Sequence, residues 1–203
     1  MKRTHYIFIS LFLLVISCKQ KMLLPHEYVQ WMSNESNGVK VKKKIGDFEF
    51  SLQYKTPEYV ILQQYKSDTI KSETVNKEKK ELDGMQYYTF QVKSEDGKDI
   101  LQTGISDESE YSSRLEYFLS DAQDDMSLVE NGDTIPCTLY HFERNYNLGP
   151  LSTIVLGFEK TKTFSSADKT FIYNDQVLGT GPVQLTIQEK DIQQIPPIRY
   201  VQN

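Results

Sequence analysis

From Val39 onward, apolar side chains recur at every second position, and this period constrains the fold more than any other feature of the sequence. Val39, Val41 and Ile45 alternate with Lys40, Lys42 and Lys44, and Phe48, Phe50, Leu52 and Tyr54 alternate with Glu49, Ser51 and Gln53. A period of two puts one set of side chains on each face of a strand, so both stretches predict half-buried β-strands meeting around Gly46. The lysines read as the solvated face of an edge strand, where they discourage pairing with other chains. After Gly84 the alternation continues in short runs separated by turn residues. "MQYYTFQV" and "DILQTGI" flank Asp96-Gly97, while "MSLVE" and "TIPCTLYHFER" flank Asn131-Gly132, and both dipeptides signal hairpins. "LSTIVLGF", "KTFIY", "VQLTI" and "PPIRYV" bring the total to about nine strands, the last with Pro196 and Pro197 fit only for a strand start or an edge.

Helical signals are confined to the first half. Leu24, Tyr28, Trp31 and Met32 have helical spacing, with Pro25 in the first turn and "SNESNG" ending the helix at Gly38. The Trp31 face predicts packing on the domain rather than burial in a bilayer interface, because the stripe is short and its polar side lacks lysines. Thr56 as cap and Pro57 as first residue open a second helix through "EYVILQQY". A third, polar helix is predicted from Ile70 to Leu82, with Glu73 and Lys77 spaced for pairing and Gly84 beyond its end. The fold class expected is mainly β (α+β): an antiparallel β-sandwich or strongly curved sheet, with short helices in the N-terminal half. Residues 25–203 read as a single β-rich domain, preceded by a signal segment over 1–17 and a tether over 18–24.

The N-terminus gives the chain an address. Lys2 and Arg3 precede an apolar run from Tyr6 to Ile16, which is far shorter than the about 20 residues of a spanning helix and reads as a secretory signal. The run closes on Val15-Ile16-Ser17-Cys18, which resembles the lipobox of bacterial lipoproteins. That resemblance implies cleavage before Cys18, a diacylglycerol on its thiol and acylation of its new amino group. Two or more acyl chains anchor stably, each buried methylene contributing about 0.8 kcal/mol. With only two Ala residues, 19 Lys against 4 Arg and abundant Tyr, Ile, Asn and Phe, the composition resembles that of proteins from AT-rich Bacteroidetes. "YKTPEY" and "DIQQIPPI" are faintly similar to uncharacterised lipoproteins of that phylum. Surface-exported lipoproteins there carry acidic residues just after the cysteine, whereas Lys19-Gln20-Lys21 follow here. The implied location is the outer membrane, lipid-anchored and facing the periplasm.

Composition excludes several chemistries. The formal charge of −5 becomes more negative once Lys2 and Arg3 leave with the signal, which argues against a nucleic-acid partner. Of the two cysteines, Cys18 is committed to lipid, so Cys137 has no partner for an internal disulfide. Three histidines, one of them in the signal, are too few for a zinc site of several Cys and His ligands, and no cofactor or metal is expected.

Candidate catalytic patterns read better as structure. Cys137, His141 and Glu143 share one face of a strand, but alternate residues on a strand stand about 6.5–7 Å apart, too far for a nucleophile and its base. Cys137 is therefore expected in the core. "SADK" (Ser166–Lys169) matches the S-x-x-K pattern of penicillin-recognising enzymes, yet lies between strands and lacks the companion motifs. "LGTGPV" precedes a strand rather than a phosphate-binding helix and reads as a turn. "DAQDD" and "EDGKD" carry carboxylates without the ligand order of a calcium loop and read as solvated turns. The thirteen tyrosines could form glycan platforms, although strand propensity accounts for most of them. Asp68-Thr69-Ile70 and Asp133-Thr134-Ile135 resemble the Asp-Ser/Thr-aliphatic acceptor for O-glycosylation of exported Bacteroidetes proteins, which implies modification at Thr69 and Thr134. Asp before a β-branched residue is also ordinary turn chemistry.

Three function classes fit. The first is a non-catalytic envelope module that binds a protein. The second, a solute-, lipid- or glycan-binding lipoprotein, requires an apolar or tyrosine-lined pocket. The third, a carboxylate-based hydrolase, requires two converging acids or a metal in a cleft. The first is favoured, with membrane attachment through the lipid and "HFERNYNLGP" as contact region, since it leaves a strand into an exposed connection. Within it, Arg144 and Tyr146 are residue types enriched at interface centres.

Overall fold

The computed structural model describes residues 21–65, 69–146, 148–162 and 167–200. Its strands are β1 (Lys40–Ile45), β2 (Phe48–Lys55), β3 (Met85–Ser94), β4 (Met126–Glu130), β5 (Asp133–Glu143), β6 (Leu151–Glu159), β7 (Lys169–Asn174) and β8 (Pro182–Ile187). They form one antiparallel sheet of eight strands in the order β1-β2-β3-β6-β5-β4-β7-β8. The helices are α1 (Pro25–Ser33), α2 (Pro57–Tyr65), α3 (Ser72–Glu81), α4 (Glu108–Leu119) and α5 (Glu189–Ile192).

The sheet curls until it nearly closes. β3 and β7 are separated by three strands in the sheet, yet the Phe90 and Phe171 rings pack at a tilt with centroids 4.9 Å apart, and Phe90 also meets Tyr173 at 5.7 Å. Such contacts require the two strands to face each other across an interior, as in a barrel filled by its own side chains. Buried Phe50, Leu52, Tyr88, Phe158, Leu128, Val183 and Ile187 complete that core. A second apolar cluster lies among α1, α2 and α3, where Tyr28, Met32, Tyr59, Ile61, Leu62 and Val75 are buried and Trp31 packs against them. The α1 face thus lies on the domain, as its spacing predicts.

Local signals act as expected in the first half. Pro25 begins α1, and the Leu24 N–H donates to Glu27 at 2.8 Å. Thr56 Oγ1 accepts from the Tyr59 N–H at 3.1 Å and caps α2. Gly38, with φ 75°, ends the single 3-10 turn after α1. β1 is an edge strand hydrogen-bonded to β2, with Lys42 paired to Glu35 and Glu49 at 2.8 and 3.3 Å. In the β4–β5 hairpin Asn131 and Gly132 both have positive φ, 50° and 87°, as a two-residue turn of matching twist requires. Lys79 pairs with Glu58 on α2, and Glu78 accepts from Tyr65, so α3 is tied to its neighbour rather than by a Glu73–Lys77 pair.

Five expectations are corrected. "DILQTGI" forms no strand: both edges of β3 are taken, by β2 and β6, so the segment has no free ladder to join. It turns instead around Asp99, whose carboxylate accepts from the Leu101 N–H at 2.8 Å, and Ile100 and Leu101 enter the core. Asp99 itself is buried, so "EDGKD" is not wholly a solvated turn. "PPIRYV" contributes a single parallel bridge, Leu23 to Ile198, over its described residues.

The second-half helix α4 has no counterpart in the reading of residues 84–203 as strands. Its signal is nevertheless present: Asp107 accepts from the Glu110 N–H at 2.9 Å, Glu110 accepts from the Ser106 N–H at 2.9 Å, and Tyr111, Leu115 and Phe118 share one face. α4 plugs one end of the barrel. Phe118 stacks on Phe142 at 5.4 Å, and the Tyr140 hydroxyl donates to the Phe118 carbonyl at 2.6 Å.

The last correction concerns β5. A bulge between Cys137 and Leu139 inserts one residue and reverses which side chains face inward. Before it Ile135 and Cys137 are buried; after it Phe142 is buried and Leu139, His141 and Glu143 are exposed. Cys137 and His141 therefore lie on opposite faces rather than in one line.

Candidate functional site

Two ends of the barrel carry different chemistry. β3, ten residues long, separates them by roughly 30 Å at ~3.3 Å per residue.

At the α4 end, the connection from β5 to β6 is a stapled loop. The Asn145 side-chain amide donates to the carbonyls of Gly149 and Leu151, both at 2.9 Å, and the Leu148 N–H donates to the Asn145 carbonyl at 3.0 Å. These bonds hold apolar side chains outward: Tyr146 is 71% exposed and Leu148 90%. Tyr146 has φ 50°, uncommon for a residue with a large side chain, and the Arg144 guanidinium lies over its ring at 4.8 Å. The two residues singled out in the sequence are brought together. Leu148 and the partly exposed Leu151 extend the patch they begin.

Also at this end, two acids converge on two tyrosines. The Tyr117 hydroxyl donates to Asp125 at 2.8 Å and lies 3.4 Å from the Tyr173 hydroxyl, which donates to Asp175 at 3.2 Å. Asp175 is committed to the β7–β8 connection, where it accepts from the N–H groups of Val177, Leu178 and Thr180 at 3.0, 2.8 and 2.7 Å. Burial works against its charge, but those three N–H groups outweigh burial and hold the carboxyl below the ordinary aspartate range. A carboxylate pair that hydrolyses glycosides needs one member held protonated. Asp175 is shifted the opposite way, so this arrangement favours a structural role.

At the opposite end, the strand termini enclose a buried polar network. Lys169 Nζ lies 2.7 Å from Glu130, with side chains 1% and 0% exposed. Glu130 also accepts from Gln86 at 3.1 Å and Thr161 at 2.8 Å, and the Tyr88 hydroxyl donates to Gln86 at 2.9 Å. Lys169 sits on a strand, not on the helix start the S-x-x-K pattern needs; Ser166 lies outside the described residues. The alternation places Glu130 with Met126 and Leu128, and Lys169 with Phe171 and Tyr173, on inward positions. That parity is the signal for this network, and the sequence reading passed over it.

Above the network a cavity of about 380 Å³ opens at the barrel mouth. Tyr28, Tyr54, Thr56, Glu58 and Tyr200 supply its polar lining, and Ile192, Ile195, Ile198 and two prolines its apolar lining. This volume falls in the ~300–1,000 Å³ range of small-molecule sites, and the mouths of barrels are common places for them. Burial, then the nearby Glu58 carboxylate, pushes the Tyr54 and Tyr200 hydroxyls up, the latter to about 12.

The remaining singled-out residues stand apart from both ends' chemistry. Cys137 is buried, its thiol pushed up to about 11 by burial and donating to the Leu139 carbonyl at 3.1 Å. Thr134 is exposed on β5, and Thr69 is exposed ahead of α3, while Asp68 lies outside the described residues. Cys18 and its lipobox also lie outside them. Among the described residues no group of three or more His, Cys, Asp or Glu side chains could hold a metal, and no helix is long and apolar enough to cross a membrane. No protein-family model matches the chain, and neither a curated protein nor a solved structure does.

Proposed function

We propose that this chain is a lipid-anchored cell-envelope protein, held at Cys18 in the outer membrane and facing the periplasm, that acts as a non-catalytic protein-binding module. The observation that carries the reading is the 144–151 loop. Asn145 ties its own position to Gly149 and Leu151, and Tyr146 and Leu148 stand in water with an arginine beside Tyr146. Holding a tyrosine at positive φ costs about 1 kcal/mol or more, and such strain concentrates where a loop must present a side chain. A preformed aromatic and arginine surface also loses little entropy on binding. Residue 23 is bridged to Ile198 at the cavity end, so a tether running to Cys18 would leave this loop on the side away from the bilayer.

O-glycosylation at Thr69 and Thr134 fits the same compartment, and both side chains are exposed. The test of the function is chemical cross-linking and co-purification of the tagged full chain from its own host, alongside the Arg144→Ala/Tyr146→Ala/Leu148→Ala variant. The triple variant should fold with unchanged circular dichroism and recover the partner at least about tenfold less, as loss of hot-spot residues requires. Equal recovery removes the loop from the reading. Cys18→Ala should abolish lipid labelling and membrane fractionation; retained acylation would remove the anchor.

A further inference from the structure

The cavity at the barrel mouth contains more hydrogen-bonding capacity than the protein uses. Tyr54 lines the cavity, and its hydroxyl, which makes no hydrogen bond to any described residue, is open to the cavity rather than sealed in the core. A hydroxyl that lines a cavity without a protein partner is free to bond water or the polar head of a ligand. Tyr28 and Thr56 share one hydrogen bond at 2.7 Å, and Thr56 Oγ1 already accepts from the Tyr59 N–H. The two hydroxyls carry one hydrogen each and only one is used between them. Whichever group donates, the other has a hydrogen left for the cavity.

The opposite side of the cavity is apolar, built by Ile192, Ile195 and Ile198. Charge is present but already balanced: Glu58 is ion-paired with Lys79. A cation therefore finds no unpaired carboxylate there, and an anion meets Glu58 beside the hydroxyls it would need.

We infer that this cavity binds a small uncharged amphiphile, an apolar body bearing a hydroxyl or carbonyl, with the head on Tyr54 and the Tyr28–Thr56 pair and the body against the isoleucines. The site is separate from the 144–151 loop and stands whether or not that loop binds a protein. Tyr54 supplies orientation through its hydroxyl, and the isoleucine wall supplies most of the affinity by removing apolar surface from water.

The purified full-length chain is titrated with 4-methylphenol, 4-methylbenzoate and 4-methylbenzylammonium, using ligand-observed nuclear magnetic resonance and calorimetry. The expected result is saturable binding of 4-methylphenol at one site, with both charged analogues at least tenfold weaker. Tyr54→Phe should weaken 4-methylphenol about five- to tenfold, the loss of one neutral hydrogen bond. Because that hydroxyl bonds no described residue, the melting temperature of the free protein should be unchanged. Tyr87→Phe, on the outer face of β3, should leave binding as it was. Glu58→Gln should strengthen 4-methylbenzoate. Absence of saturation up to the solubility limit overturns the site, as does equal binding to the Tyr54→Phe protein. Tighter binding of either charged analogue, or 4-methylbenzoate indifferent to Glu58→Gln, overturns the ligand class.

Discussion

Replacing Lys169 by Met tests whether the buried network holds the barrel end together. The change keeps the length and apolar stem of the side chain but removes the ammonium 2.7 Å from Glu130. Glu130 is then a fully buried carboxylate with Gln86 at 3.1 Å and Thr161 at 2.8 Å as its remaining partners in the network. Two neutral donors do not compensate for a lost cation at a fully buried carboxylate, and breaking a buried pair in this way costs about 3–5 kcal/mol. In a chain of this size each kcal/mol moves the melting temperature by roughly 2–4 °C, so a fall of roughly 6–20 °C is expected by calorimetry. Urea unfolding at pH 7 should give the same free energy with an unchanged slope. Adding Glu130→Gln should recover most of the loss. A single-variant cost under about 1 kcal/mol, or no recovery in the double variant, would refute the assignment of the pair as a buried, mutually dependent charge couple.

Three further outcomes follow from the geometry. Asp175→Asn should destabilise the β7–β8 connection by about 1–3 kcal/mol, because an amide cannot replace the carboxylate toward three N–H groups. The parent's Asp175 contribution is full above the ordinary aspartate range and is lost as pH falls through its lowered folded-state value; acid unfolding of the variant should be correspondingly less steep. Cys137, buried and with its thiol raised to about 11, should resist alkylation by iodoacetamide at pH 8 in the folded protein and react fully in urea; fast native labelling would contradict its place in the core. Gly38→Ala puts a methyl into the Asp191 side chain at a φ of 75°, so a loss of about 2–3 kcal/mol and displacement of α5 are expected by denaturation and amide exchange.

Much of the fold was legible because its signals are local. Thr56 capping α2, Pro25 and Pro57 in first turns, Gly38 past a helix and the Asn131-Gly132 turn all act within a few residues of where they stand. Period-two alternation likewise identified β1 to β8, because a strand's faces depend only on its own backbone. The exposed pair Arg144 and Tyr146 was readable from the loop composition around it. α4 carried an equally local signal in Asp107 and Glu110, and was passed over because its surroundings read as strands.

What the sequence could not settle is non-local. Alternation gives two faces but not which partner each strand takes, so the segment after Asp96-Gly97 looked like half of a hairpin until β2 and β6 occupied both edges of β3. A bulge costs one residue and leaves no mark in composition, yet it places Cys137 and His141 on opposite faces of β5. The charges of Glu130 and Lys169 are ordinary in sequence; the β4–β7 ladder sets them side by side, and curling of the sheet brings Gln86 of β3 onto Glu130. The cavity that Tyr54 lines is likewise non-local, since its walls come from α1, β2, α2 and residues 192–200. The sequence by itself determined strands, turns and caps, which are properties of short segments, and tertiary structure alone decided burial and pairing, which are properties of segments far apart.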